Sequence, residues 1–199
     1  VLVVDTEEDE VINCAKDPRV GLQLTRYHSW PRIREQSVGE HSAQVMRILL
    51  TVWPDAPRHL LVYALYHDIG EMAGDVQYPF KSQDPLLKVR MDEAERQVTT
   101  GMNEEFPNSI PNVLLSPFER AVFKLCEYVE MWEWGLHEMN LGNQYGRTVS
   151  MRMSTAKSAQ YEAILSGEVP AEEDERDAWP ALASNIKRYI ERRLTWEKQ

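Results

Sequence analysis

Apolar residues recur at helical spacing along most of this chain and almost no stretch alternates, and that periodicity constrains the fold more than any other feature. From His41 to Trp53, Val45, Ile48, Leu49 and Val52 fall three and four apart, which lines one face of a helix. Pro54 and Pro57 close that helix and open the next, which runs from Arg58 to about Ile69. Asp84 to Glu105 is long, charged and periodic through Leu87, Met91, Ala94 and Val98, and ends at the loop from Pro107 to Pro111. Ser116 as N-cap, Pro117 at the first helical position and Glu119 at the third start a helix reaching about Met139. Gly142 and Gly146 punctuate its exit. A further helix is predicted over about Thr148 to Leu165, the acidic run AEEDERD reads as a loop, and Ala181 to Trp196 closes the chain. The expectation is an all-α, single-domain bundle of about six or seven helices over residues 1–199.

A length of 199 residues suits one domain with a substantial core. The formal charge of −10 argues against general affinity for nucleic acid, which clustered Lys and Arg would have to supply. It leaves room for a small anionic substrate, because a metal and a few arginines can reverse the field inside a cleft. No apolar run is long enough to cross a bilayer, and VLVVDTEEDE lacks the basic start and apolar middle of a secretory signal, so a soluble, cytoplasmic protein with no membrane partner is expected. Cys14 and Cys126 have no CxxC spacing, which fits unpaired thiols in a reducing compartment.

Against this background the stretch YHDIGEMAGD, Tyr66 to Asp75, is anomalous. The apolar run HLLVYAL leads straight into a histidine, two aspartates and a glutamate, which are costly to bury unless something offsets their desolvation. A bound cation is one such offset. Continued as an α-helix, the segment would place His67, Glu71, Asp75 and Asp68 on one arc of about 100°. Adjacent His67 and Asp68 reach a single ion most easily near a helix end, and Gly70 and Gly74 permit the bend. Upstream, SVGEHSAQVMRILL adds His41, which taken alone reads as a cap or surface residue. With His67 and Asp68 it makes two imidazoles and a carboxylate, a set suited to a divalent first-row metal.

His41 followed by the His67-Asp68 pair resembles the HD-domain metal-dependent phosphohydrolases, which are all-α. RYHSWPRIREQSVGEHSAQV and YHDIGEMAGDVQYPFK resemble the Arg-aromatic…EH and HDxxExxxGDxxxPxK segments of the 5′-deoxynucleotidase branch. The likeness covers a motif-bearing core of about residues 26–140. Phage members that hydrolyse dATP belong to the same neighbourhood, and the compact length suits them. The resemblance implies that Glu71 positions or deprotonates the attacking water without ligating metal, and that Asp75 binds the sugar 3′-hydroxyl. It implies that Arg26 contacts phosphate, that Tyr27 stands where an aromatic packs on the deoxyribose, and that Lys81 occupies a basic position. Where the family carries a last aspartate ligand, FKLCEYVEMWEW has Glu127, with Glu130 as the alternative one turn on. One divalent ion (Co, Mn, Zn, Ni or Mg) is expected on His41, His67, Asp68 and Glu127, and a homo-oligomer is implied.

The mechanism that follows is general: a divalent ion activates water and offsets charge on the phosphoryl oxygens, a nearby carboxylate takes the proton, and arginine holds the phosphate. Arg32, Arg34 and Lys81 are candidates for phosphates beyond the first. His28 reads as a loop residue near Arg26, while Tyr128, Met131, Trp132 and Trp134 read as packing or a subunit contact. His59 and His137 complete no pattern for a second metal. The expected activity is hydrolysis of the 5′ phosphoester of a 2′-deoxynucleotide, dATP or dAMP first among them. A guanosine tetraphosphate hydrolase and a nucleotide-binding module without turnover are the alternatives.

Overall fold

The computed structural model describes residues 17–27, 30–73, 84–105 and 113–196. Among them the chain is all-α: α1 (Pro18–Gly21), α2 (Val38–Val52), α3 (Arg58–Tyr66), a 3-10 turn (Ile69–Ala73), α4 (Pro85–Glu105), α5 (Pro117–Asn140), α6 (Gln144–Leu165) and α7 (Glu173–Trp196). An isolated bridge joins Thr25 and Ser37, and the described residues form no strand. None of their helices is long and apolar enough to cross a membrane. The chain divides into two compact units, Val1–Ser42 with Tyr66–Asn112, and Ala43–Leu65 with Val113–Gln199.

The second unit holds the larger apolar core. Ile48, Leu49, Leu60, Phe123, Leu125, Trp132, Leu182 and Ile186 are all buried in one cluster, with Tyr63 edge-on to Phe123 at 4.9 Å between ring centres. Its α5 starts as the sequence indicates: Ser116 Oγ accepts from Glu119 N at 3.0 Å, and Glu119 Oε2 accepts from Ser116 N at 3.0 Å, a closed capping box. Two boundaries differ from expectation. Gly142 does end the α5 segment, with φ +94°, but Gly146 lies inside α6, which begins at Gln144 under an Asn143 cap. Gly146 is needed for proximity: a Cβ there would sit 2.6 Å from the Gly135 carbonyl oxygen, so the glycines let the α5–α6 hairpin close. The acidic run read as a loop is largely helical, because α7 starts at Glu173 and carries Pro180 inside it. Carboxylates in a first helical turn complement the exposed N–H groups there. Glu133 ties α2, α5 and α7 together, accepting from Tyr189 Oη at 2.7 Å and pairing with Arg47 at 3.3 Å and Arg193 at 2.8 Å.

Among the described residues of the first unit, Ile69 and Met102 are buried together, flanked by Leu22, Tyr66, Met72 and Val98. Here α4 packs on the 3-10 turn, and Gly70 meets it so closely that a Cβ would lie 3.0 Å from the Glu95 carbonyl oxygen. Helix α2 starts at Val38, earlier than expected, with Ser37 Oγ accepting from Glu40 N at 3.0 Å.

Candidate metal centre

The early start of α2 decides where His41 points. Val38, His41, Ser42, Val45, Ile48, Leu49 and Val52 form the buried stripe of that helix, so His41 is fully buried in its interior and not at its cap. The next donors come from the end of α3. That helix stops at Tyr66, earlier than the Ile69 expected, and the chain tightens through His67 and Asp68 into the 3-10 turn. As far as Ala73 the chain thus takes a tighter path than a continued α-helix would. At three residues per turn, Glu71 follows one turn after Asp68, and its N–H donates to the Asp68 carbonyl at 3.0 Å.

Three of the four expected donors, all in the first unit, converge. One ligand atom each from His41, His67 and Asp68 lies within 4.8 Å of the others. His41 Nε2 is 3.5 Å from Asp68 Oδ2, and His67 Nε2 is 3.2 Å from Asp68 Oδ1. Bonds of about 2.0–2.2 Å to a divalent first-row ion set donor atoms roughly 3.0–3.5 Å apart, and each histidine stands at such a spacing from one carboxylate oxygen of Asp68. The imidazole rings are 5.2 Å apart and tilted by 55°, which lets both approach one point without stacking. Two imidazoles and a carboxylate are also the right chemistry for such an ion.

Arg26 adds a fixed positive charge. Its Nη1 donates to Asp68 Oδ2 at 3.0 Å from a side chain only 10% exposed. Burial pushes the Asp68 carboxyl up, but His67, Arg26 and His41 more than offset it and hold the group well below the usual carboxylate range. A guanidinium carries five N–H donors, so contact with Asp68 is compatible with holding a phosphate as well.

Tyr27 is buried and carries a left-handed backbone, φ +54°, uncommon for a bulky residue and worth roughly 1–3 kcal/mol of strain. The Arg26 guanidinium carbon lies 5.4 Å from its ring centre. The loop that carries both is closed by Arg26 N donating to the Gln36 carbonyl at 2.8 Å and by the Thr25–Ser37 bridge. Sequence reading missed this strain and the Arg26–Asp68 pair, since neither leaves a local pattern. For the start of α2, Ser37 with Glu40 three residues on was the available signal.

Asp75, Lys81, His28 and Cys14 lie outside the described residues. Glu127 is on α5 in the second unit, half-buried, with Lys124 Nζ donating to its Oε2 at 2.5 Å, and Glu130 is buried on the same helix. Trp132 and Trp134 are buried, Trp132 under the Lys157 ammonium at 4.4 Å, which bears out the packing role. His59 pairs with Glu119 at 2.6 Å, and the buried Cys126 thiol is pushed up to about 12, which keeps it unreactive.

The family model for 5′-deoxynucleotidase YfbR-like proteins matches residues 23–145, more than half of the chain. The chain belongs to this family. Comparison with curated proteins gave no match. The matched segment contains Arg26, Tyr27, His41, His67, Asp68, Glu71 and Glu127, and membership makes the protein a 5′-deoxynucleotidase-type hydrolase acting on a small nucleotide.

Proposed function

We propose that the protein removes the 5′ phosphate or phosphates of 2′-deoxynucleotides, with dATP and dAMP the preferred substrates, using one divalent ion on His41, His67, Asp68 and Glu127. The observation that carries the reading is the convergence of His41, His67 and Asp68 at donor spacings of 3.2 and 3.5 Å in a chain of this family. Glu127 enters as the ligand from its place in FKLCEYVEMWEW, where the resemblance implies an aspartate and this chain has a glutamate one methylene longer, with Glu130 the alternative one turn on. The ion supplies Lewis-acid activation of water and neutralises developing phosphoryl charge.

The remaining work falls to the chain. Glu71, one 3-10 turn beyond Asp68, takes the proton from the attacking water. Arg26 holds the phosphate nearest the sugar while keeping the Asp68 carboxylate in place. Tyr27 packs against the deoxyribose, Asp75 accepts from the 3′-hydroxyl, and Lys81 supports the outer phosphates. Attack at the phosphorus nearest the sugar breaks its bond to the 5′-oxygen, so dATP yields deoxyadenosine and intact triphosphate.

A nucleotide panel with each of Co, Mn, Zn, Ni and Mg tests the reading. Phosphate or triphosphate release from deoxynucleotides, well above release from ribonucleotides or guanosine tetraphosphate, is expected. Tight nucleotide binding with no product under any metal would instead identify a binding module. Hydrolysis in ¹⁸O-labelled water should place the label in the inorganic product; label in deoxyadenosine, or passage through dADP and dAMP, would refute the cleavage position.

A further inference from the structure

We infer that Arg32 is a positioning residue for sugar recognition, acting through the backbone of Tyr27 and not on phosphate. The inference rests on the reading of Tyr27 as the residue that packs on the sugar. Tyr27 has its ring buried and its backbone in the left-handed region, a conformation that persists only where its surroundings hold it. Two donors converge on its carbonyl oxygen: Trp30 N at 2.9 Å and Arg32 Nη1 at 3.0 Å. The second is charge-assisted and comes from a side chain only 20% exposed, whose other arm reaches Glu35 Oε1 at 3.4 Å.

Arg32 is therefore built into the loop. One Nη is committed to the Tyr27 carbonyl, the other to Glu35, and Nε is buried away from solvent. Arg34, the other arginine in reach of an outer-phosphate role by sequence, is paired with Glu40. Arg32 faces the backbone carbonyl of Tyr27 and so braces the left-handed residue that carries the ring, while Arg26, the residue before Tyr27, has its guanidinium carbon 5.4 Å from that ring.

The two roles predict different kinetics. If Arg32 positions Tyr27, Arg32→Ala raises KM for dAMP and dATP by the same factor, about tenfold for a lost charge-assisted bond. In that case kcat stays within about twofold, and the preference for dAMP over AMP narrows. Divalent-ion affinity is unchanged, and the Trp30 amide, which shares the Tyr27 carbonyl, exchanges faster with deuterium. Arg32→Lys, which retains one donor to the carbonyl, restores part of the dAMP preference. Should Arg32→Ala not fold, Arg32→Gln carries the same comparison. A loss confined to dATP would make Arg32 an outer-phosphate ligand and overturn the inference, as would unchanged sugar preference in an active enzyme with unchanged Trp30 exchange. Absence of turnover in the wild-type protein would instead remove the nucleotidase reading, and the sugar role with it, whatever the Trp30 amide shows.

Discussion

The two compact units spend their buried residues differently. In the second, a large apolar cluster dominates, α5 and α6 carry regular caps at Ser116 and Asn143, and buried polar groups meet partners of their own, as where Asn143 Nδ2 donates to Glu138 Oε2 at 2.6 Å. Among the described residues of the first, the buried positions include His41, Gln36 and Ser42 alongside the Ile69–Met102 cluster, beside a left-handed Tyr27 and a 3-10 turn. A unit that meets local rules is built for stability, and one that departs from them at several adjoining residues is built around a site. Apart from Glu127, the ligand proposed from α5, substitutions in the two units should accordingly separate metal binding and turnover from folding.

The largest effect is expected from His67→Ala: phosphate release from dAMP falls to background and the divalent ion is lost, while the cooperative unfolding of the chain persists. Unimpaired metal binding in this variant would dissolve the contrast between the units. Glu71→Gln comes next, with retained metal and nucleotide binding but turnover lower by about 10²- to 10⁴-fold, as for a removed general base. Near wild-type turnover at saturating metal would end that assignment. In the second unit, Leu60→Ala removes a fully buried side chain and should cost about 2–5 kcal/mol by denaturant unfolding, leaving metal affinity of the folded protein unchanged. Ser116→Ala opens the capping box and should cost about 0.5–2 kcal/mol.

The same contrast governs what was legible in the sequence. The helices of the second unit follow from period and caps, so Ser116, Pro117 and Glu119 locate the start of α5 to the residue. Where long-range packing overrides local propensity, reading failed: Gly146 looked like a breaker but is a close-approach residue, and the acids before α7 looked like a loop but occupy its first turns. In the first unit His67 and Asp68 were conspicuous because charge is expensive in an apolar run, and His41 became meaningful only beside them. The end of α3 at Tyr66 was not legible, because the tight contact between Gly70 and α4 joins segments distant in sequence. Nor was the pairing of Arg26 with Asp68, 42 residues apart.

Acid titration gives a smaller, graded check on the first unit. Asp68 is held below its unfolded value of about 3.9, so the stability it contributes is complete above that pH and is lost as pH falls through the lower folded value. Asp68→Asn should flatten the stability profile below about pH 4, a change read from denaturant midpoints.

Direct titration of a divalent ion into the protein, by calorimetry with metal analysis of the dialysed product, bears most directly on the site. One ion per chain is expected in the wild type and in Glu71→Gln, with none retained by His41→Ala, His67→Ala or Asp68→Ala. Equal binding by the wild type and the three ligand variants would show that His41, His67 and Asp68 do not form a metal centre.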